Sequence, residues 1–73
     1  MTQKELILKY LEDFGSITQY EALRDLGIMR LASRITDLRK DGVPIIRETV
    51  YSKNRYGKNI HYARYKMRKD DEK

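Results

Sequence analysis

Residues 29–40 carry side chains that are suited to contacting a polyanion. Arginine can pair bidentately with guanine, and short hydroxyl side chains can approach base edges or backbone oxygens. Arg30 and Arg34 are spaced one helical turn apart, with Ser33 beside them. On a helical wheel the polar side presents Met29, Arg30, Ser33, Thr36, Asp37 and Lys40, with Arg34 at its border. Because a helix fits the major groove of B-DNA, these residues are candidate contacts to double-stranded DNA.

Asp37 is the acidic member of this set, and phosphates would repel it unless it pairs. It lies one turn from Ser33 and Arg34, so it can orient Arg34 or accept a hydrogen bond from a cytosine amino group. The alternative interpretation is that Arg30, Arg34, Asp37 and Lys40 form ordinary ion pairs on a solvated helix surface.

Residues 52–59, with the sequence SKNRYGKN, form a second cationic group. A hairpin tip of this composition can lie along a phosphate backbone or enter a minor groove. The alternative is a flexible turn that only aids solubility. The candidate contacts in this loop are Lys53, Arg55, Tyr56 and Lys58, and the set is completed by Thr18 and Gln19 at the start of an earlier helix.

The charge of the chain is concentrated in its second half. Residues 1–46 hold seven basic and seven acidic side chains, whereas residues 47–69 hold eight basic ones and the single acid Glu48. This asymmetry favours a polyanionic partner on one side of the molecule. A basic surface that merely keeps a small protein soluble is the alternative.

Size and composition argue against an enzyme. The chain has 73 residues, which is one small domain with a thin core. It has no cysteine, no catalytic or nucleotide-binding motif, and one histidine, His61, that is typical of a strand surface. We expect no cofactor, no metal, no small-molecule substrate and no membrane association. The polar N-terminus and the lack of a long apolar run predict a soluble, cytoplasmic protein.

Capping patterns predict three helices. Thr2 to Glu5 is a capping box that opens a helix over residues 3–14. Residues 16–17 predict a minimal strand, and Thr18 to Glu21 is a second capping box that opens a helix ending at Gly27. A third helix is expected from Ile28 or Met29 to Lys40. The short joint at 26–28 predicts a helix-turn-helix whose second helix protrudes from the body.

The period of the pattern changes after Gly42. Residues 45–51 and 60–67 alternate and are rich in β-branched and aromatic side chains, which predicts an antiparallel hairpin. The expected fold is α+β in the order α-β-α-α-β-β, with one domain over residues 1–67 and a charged, frayed tail over 68–73. The predicted inward stripe of the third helix is Ile28, Leu31, Ile35 and Leu38, and the tyrosines expected over the core are Tyr51, Tyr62 and Tyr65.

The segments GSITQYEALRDLGIMRLASRITDLRKDGVPI and NRYGKNIHYARYKM resemble the small winged helix-turn-helix domains that are frequent in bacteriophages and integrated elements. The resemblance spans about residues 5–67. It implies a recognition helix at about 29–40 and a wing at 52–59, which is longer here than usual. It gives no operator sequence.

Three functions remain open at this point. The first is a double-stranded DNA-binding regulator or architectural factor of phage or mobile-element origin, with a homodimer as a possible state. The second is a winged-helix protein-interaction module, for example a phage-encoded inhibitor of a host protein. The third is binding of RNA or single-stranded nucleic acid through the sheet.

Overall fold

A computed structural model describes residues 1–68. Its elements follow the predicted order α-β-α-α-β-β. Helix α2 begins with a short α-helical turn and continues with wider, π-helical spacing. The elements are α1 (Gln3–Phe14), β1 (Ile17–Thr18), α2 (Gln19–Glu21, continued over Ala22–Leu26), α3 (Leu31–Lys40), β2 (Ile45–Lys53) and β3 (Asn59–Met67). Of the tail predicted over residues 68–73, all but Arg68 lies outside the described residues.

Both predicted capping boxes are present. The Glu5 carboxylate accepts a hydrogen bond from the Thr2 amide at 2.7 Å, and the Glu5 amide donates to the Thr2 hydroxyl at 3.2 Å. Helix α1 ends where the Gly15 amide donates to the Leu11 carbonyl at 2.8 Å. Gly15 has φ of 84°, a left-handed conformation that costs glycine little. Local sequence therefore sets both ends of α1.

The core joins one face of each helix to one face of the sheet. The inward stripe predicted for the third helix is confirmed, since Ile28, Leu31, Ile35 and Leu38 are all buried. The other buried apolar side chains are Ile7, Tyr10, Leu11, Ile17, Ala22, Ile45 and Tyr65. Partly buried apolar side chains pack against this cluster, namely Leu8, Leu26, Val43, Ala63 and Met67. The core is small, so each buried side chain contributes a large share of the stability.

The sheet has three antiparallel strands in the order β1-β3-β2. Strands β2 and β3 pair along their full length, from Ile45 opposite Met67 to Lys53 opposite Asn59. The two-residue strand β1 adds Ile17 opposite Tyr65 on the other side of β3. The predicted hairpin is confirmed, and its outer half extends beyond the part that the helices cover.

Two expectations about packing are wrong. Tyr65 is buried, but Tyr51 is 79% exposed and Tyr62 is 42% exposed. Tyr51 lies opposite His61 and shares the sheet face of Tyr65, but it lies on the outer part of the hairpin, away from the core. Tyr62 is three residues from Tyr65 along β3, so its side chain points to the opposite face, where it lines a pocket with Gln19 and Tyr20 of α2. The third helix also begins at Leu31 rather than at Ile28 or Met29, for a reason given below.

No helix among residues 1–68 is long and apolar enough to cross a membrane.

Candidate nucleic-acid interface

The turn between α2 and α3 is held by one side chain. Gly27, with φ of 70°, ends α2, and Arg30, with φ of −121° and ψ of 64°, is outside the helical region. The side-chain amide nitrogen of Gln19 donates to the backbone carbonyl of Ile28 at 2.9 Å, and the side-chain oxygen of Gln19 accepts from the backbone amide of Leu31 at 2.9 Å. The start of α2 is thus bonded to both ends of the turn.

Arg30 makes no side-chain cap, so Gln19 satisfies the first amide of α3 in its place. This explains why α3 starts at Leu31. The true cap lies twelve residues upstream, and local capping rules that search positions next to the helix cannot find it.

The first turn of α3 and the residues before it expose cationic and apolar groups together. Met29 is 77% exposed and Arg30 is exposed, while Arg34 is half-buried. These three side chains, with Gln3 and Gly27, line a shallow depression of about 340 Å³. The structure therefore brings Met29, Arg30 and Arg34 to one site, where Met29 and Arg30 belong to the turn rather than to the helix.

Further along α3, Asp37 lies beside Arg34. A carboxylate oxygen of Asp37 is 3.4 Å from a guanidinium nitrogen of Arg34, in an i,i+3 pair that can orient the arginine. The Thr36 hydroxyl donates to the Ala32 carbonyl at 3.0 Å. Ser33 is half-buried and Lys40 is exposed. The outer side of α3 thus offers Ser33 and Lys40 alongside the paired Arg34, with Arg30 in the turn just before the helix.

Thr18 and Gln19 already have structural partners. Thr18 is only 8% exposed, and its hydroxyl accepts from the Glu21 amide at 3.2 Å. Both polar groups of the Gln19 side chain bond within the turn, as described above. The geometry favours positioning roles for both residues, with Gln19 holding the turn and Thr18 starting α2.

The tip of the hairpin is closed by Asn54. Its side-chain oxygen accepts from the amides of Tyr56 and Lys58, at 2.9 and 3.0 Å. The backbone amide of Asn54 donates to the backbone carbonyl of Lys58 at 2.9 Å. Gly57 adopts the left-handed conformation that the turn needs, with φ of 78°. The tip is therefore a defined turn rather than an open loop. It exposes Lys53, Arg55, Tyr56 and Lys58.

Ion pairing divides the cations of α3 and the hairpin, with Arg30 before α3, into two groups. At the base of the hairpin, the Glu48 carboxylate lies 2.6 Å from Arg64 and 3.6 Å from Lys66. The hydrogen bond from Arg64 lowers the pKa of Glu48 below its ordinary value. Cations without a carboxylate partner within residues 1–68 include Arg30, Lys40, Arg47, Lys53, Arg55 and Lys58. Uncompensated charge is thus found at the start and end of α3 and along β2 to the hairpin tip.

The acidic side chains and the histidine of the described residues are the groups that could bind a metal ion. No group of three His, Asp or Glu side chains within residues 1–68 is arranged to hold a metal ion. His61 lies edge-on to Tyr51, with ring centroids 6.2 Å apart, on the exposed part of the sheet.

Comparison with protein families agrees with this architecture. Residues 2–70 match the winged helix-turn-helix domain, and the chain belongs to that family. Domains of this class typically bind DNA and are not enzymes, so membership points to double-stranded DNA as the ligand. Neither the curated proteins nor the solved structures that were compared with the chain include a significant match.

Proposed function

We propose that the chain binds double-stranded DNA, reading the major groove with α3 and holding the backbone or the minor groove with the tip of the β2–β3 hairpin. The observation that carries the proposal is the division of α3 into two sides. Leu31, Ile35 and Leu38 are buried, which leaves the side with Arg30, Ser33 and Arg34 for a ligand. An α-helix anchored in this way can enter a major groove without losing its packing.

The N-terminal end of α3 is the best candidate for base contacts. Residues at this end of a recognition helix reach deepest into the groove. Arg30 has no acidic partner within residues 1–68, so it can pair bidentately with guanine. Arg34 is held by Asp37, which limits its rotamers and supports a directed contact.

The hairpin tip supplies contacts that do not depend on sequence. Arg55, Tyr56 and Lys58 are displayed on a turn that Asn54 already orders, so little conformational entropy is lost when they meet phosphates. Lys53 precedes the turn on β2 and adds a fourth group. Each phosphate neutralised releases counterions, which makes the affinity depend on salt.

The biological role that fits best is a transcriptional regulator or architectural factor of phage or mobile-element origin, acting in the cytoplasm. Support for the origin comes from the resemblance of residues 5–67 to phage-type winged domains. Support for a regulatory or architectural role comes from membership of a family whose domains typically bind DNA.

The experiment that tests the proposal is binding of the full chain to a random-sequence duplex at several salt concentrations, followed by fluorescence anisotropy. We expect log affinity to fall linearly with log salt, with a slope close to the number of phosphates contacted. Competition with single-stranded DNA and RNA of the same length separates the duplex from other nucleic acids. Failure to bind any nucleic acid at physiological salt would contradict the proposal and favour a protein partner.

A further inference from the structure

A second surface lies on the α1–α2 side of the molecule. A groove of about 420 Å³ runs between these helices and is lined by Leu6, Lys9, Tyr10, Asp13 and Phe14 of α1 and by Asp25 and Leu26 of α2. Phe14 is 69% exposed, which is unusual for the only phenylalanine of a chain with so few core residues. Its ring packs on Tyr10, with centroids 4.6 Å apart, so the exposed ring is held in a fixed position.

The residues that α1 contributes to this groove form one stripe. Leu6, Lys9, Tyr10, Asp13 and Phe14 follow the 3-4 spacing of a single helix face. The stripe is self-complementary when two copies meet antiparallel. With Tyr10 at the crossing point, Phe14 of one copy lies beside Leu6 of the other, and Lys9 lies beside Asp13 of the other.

The charges of the molecule also favour a second copy here. Residues 47–69 carry a net charge of +7, so two hairpins repel each other. On the α1–α2 side the charges at the groove are compensated in pairs, because Lys9 pairs with Asp13 at 3.5 Å and Arg24 pairs with Asp25 at 2.7 Å. Two copies therefore meet less Coulomb repulsion through α1 than through their hairpins, and they can exchange the Lys9–Asp13 pairs as they approach.

We propose that this α1 face is a homodimer interface, in which Phe14 of each copy enters the α1–α2 groove of the other. The interface is isologous, as closed two-fold dimers require. Because the surface on one helix is small, self-association is weak and concentration-dependent. The proposal does not depend on DNA binding, since none of the α1 residues that line the groove belongs to the α3 and hairpin surface.

The first test is sedimentation equilibrium of the full chain between about 10 µM and 1 mM, the range of weak association. Wild type should sediment as a reversible monomer–dimer mixture. Phe14→Ser should weaken dimerisation by at least about tenfold, because its exposed ring supplies most of the apolar contact. The matched control is Leu23→Ser, which removes an apolar side chain that is 50% exposed on α2 but does not line the groove. Circular dichroism confirms that both variants are folded.

The second test uses charge reversal. Lys9→Asp places only acids, and Asp13→Lys only lysines, at the meeting positions of two identical copies. Each variant alone should be monomeric, whereas an equimolar mixture should form a heterodimer at least as tight as the wild-type dimer. A wild-type chain that remains monomeric at 1 mM would overturn the proposal. So would equal loss of dimer in Phe14→Ser and Leu23→Ser, or a mixture that does not associate.

Discussion

The side-chain oxygen of Gln19, at the start of α2, accepts a hydrogen bond from the backbone amide of Leu31, at the start of α3, over 2.9 Å. The same side chain donates to the Ile28 carbonyl. A residue from the first helix of the helix-turn-helix therefore caps the second helix and fixes the turn that carries Met29 and Arg30. The position of the proposed base-reading arginine depends on this glutamine.

Replacing Gln19 with Ala should destabilise the domain by about 1–2 kcal/mol, the usual net value of two hydrogen bonds in a partly buried site. Duplex binding should weaken as well, because the turn before α3 loses its fixed geometry. Gln19→Glu keeps the acceptor for Leu31 but loses the donor to Ile28, so it should lie between Ala and wild type. Urea unfolding and anisotropy on the same samples check both effects. A Gln19→Ala variant as stable as wild type would show that the turn is held by other contacts.

Replacing Arg30 or Arg34 with Ala should reduce discrimination between sequences. A bidentate arginine–guanine contact contributes about 1–3 kcal/mol of preference, so the preferred site should lose that amount relative to random duplex. Competition binding between a selected site and random DNA measures it. The control is Lys9→Ala, which removes a cation of α1 outside the proposed DNA-binding surface. The duplex is too short for two copies, so any effect of Lys9 on dimerisation does not enter the comparison. Unchanged preference in both arginine variants would remove α3 as the reading element.

Replacing Arg55 or Lys58 with Ala should weaken binding to all duplexes equally. Each change should lower the slope of log affinity against log salt by about one, as expected for a lost phosphate contact. Because both side chains are exposed, the stability of the fold should not change. Slopes identical to that of wild type would show that the hairpin tip does not touch the backbone.

Much of the fold was predictable because its signals are local. The two capping boxes, Gly15 and Gly27 define helix ends, and the change of period after Gly42 defines the hairpin. The start of α3 was not predictable in the same way, because its cap comes from Gln19, which is distant in sequence. The exposure of Tyr51 depends on how far the core reaches along the sheet, and alternation along a strand does not contain that information. The exposure of Tyr62 was predictable, because residues three apart on one strand point to opposite faces and Tyr65 faces the core.

For the candidate site, the inward stripe of α3 determined the outward side chains of the helix, so the exposed position of Lys40 followed directly. Met29 and Arg30 are also exposed, but they lie in the turn before α3, which the helical wheel does not describe. The capping role of Thr18 was predicted from the sequence, whereas the internal role of Gln19 required the tertiary structure, because its partners Ile28 and Leu31 are distant in sequence. The contacts of all these residues with DNA stay predictions.

Asp25 should make the free energy of unfolding decrease at acid pH. Hydrogen bonds from Arg24 and from the Tyr10 hydroxyl, at 2.6 Å, lower the pKa of Asp25 from 3.8 to about 2. Because the pKa is lower in the folded state, this stabilisation is fully present above about pH 4 and is lost as the pH falls through about 2. Thermal unfolding between pH 2 and 7 should show that the melting temperature falls less on acidification for Asp25→Asn than for wild type. Part of the loss should remain in the variant, since the pKa values of Glu5 and Glu48 are also lowered. Parallel pH curves for the two proteins would contradict the prediction.

Replacing Leu38 with Ala should cost about 2–5 kcal/mol of unfolding free energy, because it leaves a cavity in a core with little to spare. Leu31→Ala should behave in the same way. Leu23→Ala, at a half-exposed position, should change stability by only about 0.5 kcal/mol. Chemical denaturation measures the unfolding free energy of the three variants. A similar loss of unfolding free energy in Leu23→Ala and Leu38→Ala would mean that α3 does not pack as described.

The most direct test of DNA binding is a titration of the isotope-labelled chain with a short duplex, followed by amide chemical shifts in NMR. We predict the largest changes at residues 29–34 and 53–58, with α1 amides nearly unaffected under conditions where the chain is monomeric. Changes confined to other surfaces, or no changes at duplex excess and low salt, would contradict the assignment of α3 and the hairpin tip as the DNA-binding surface.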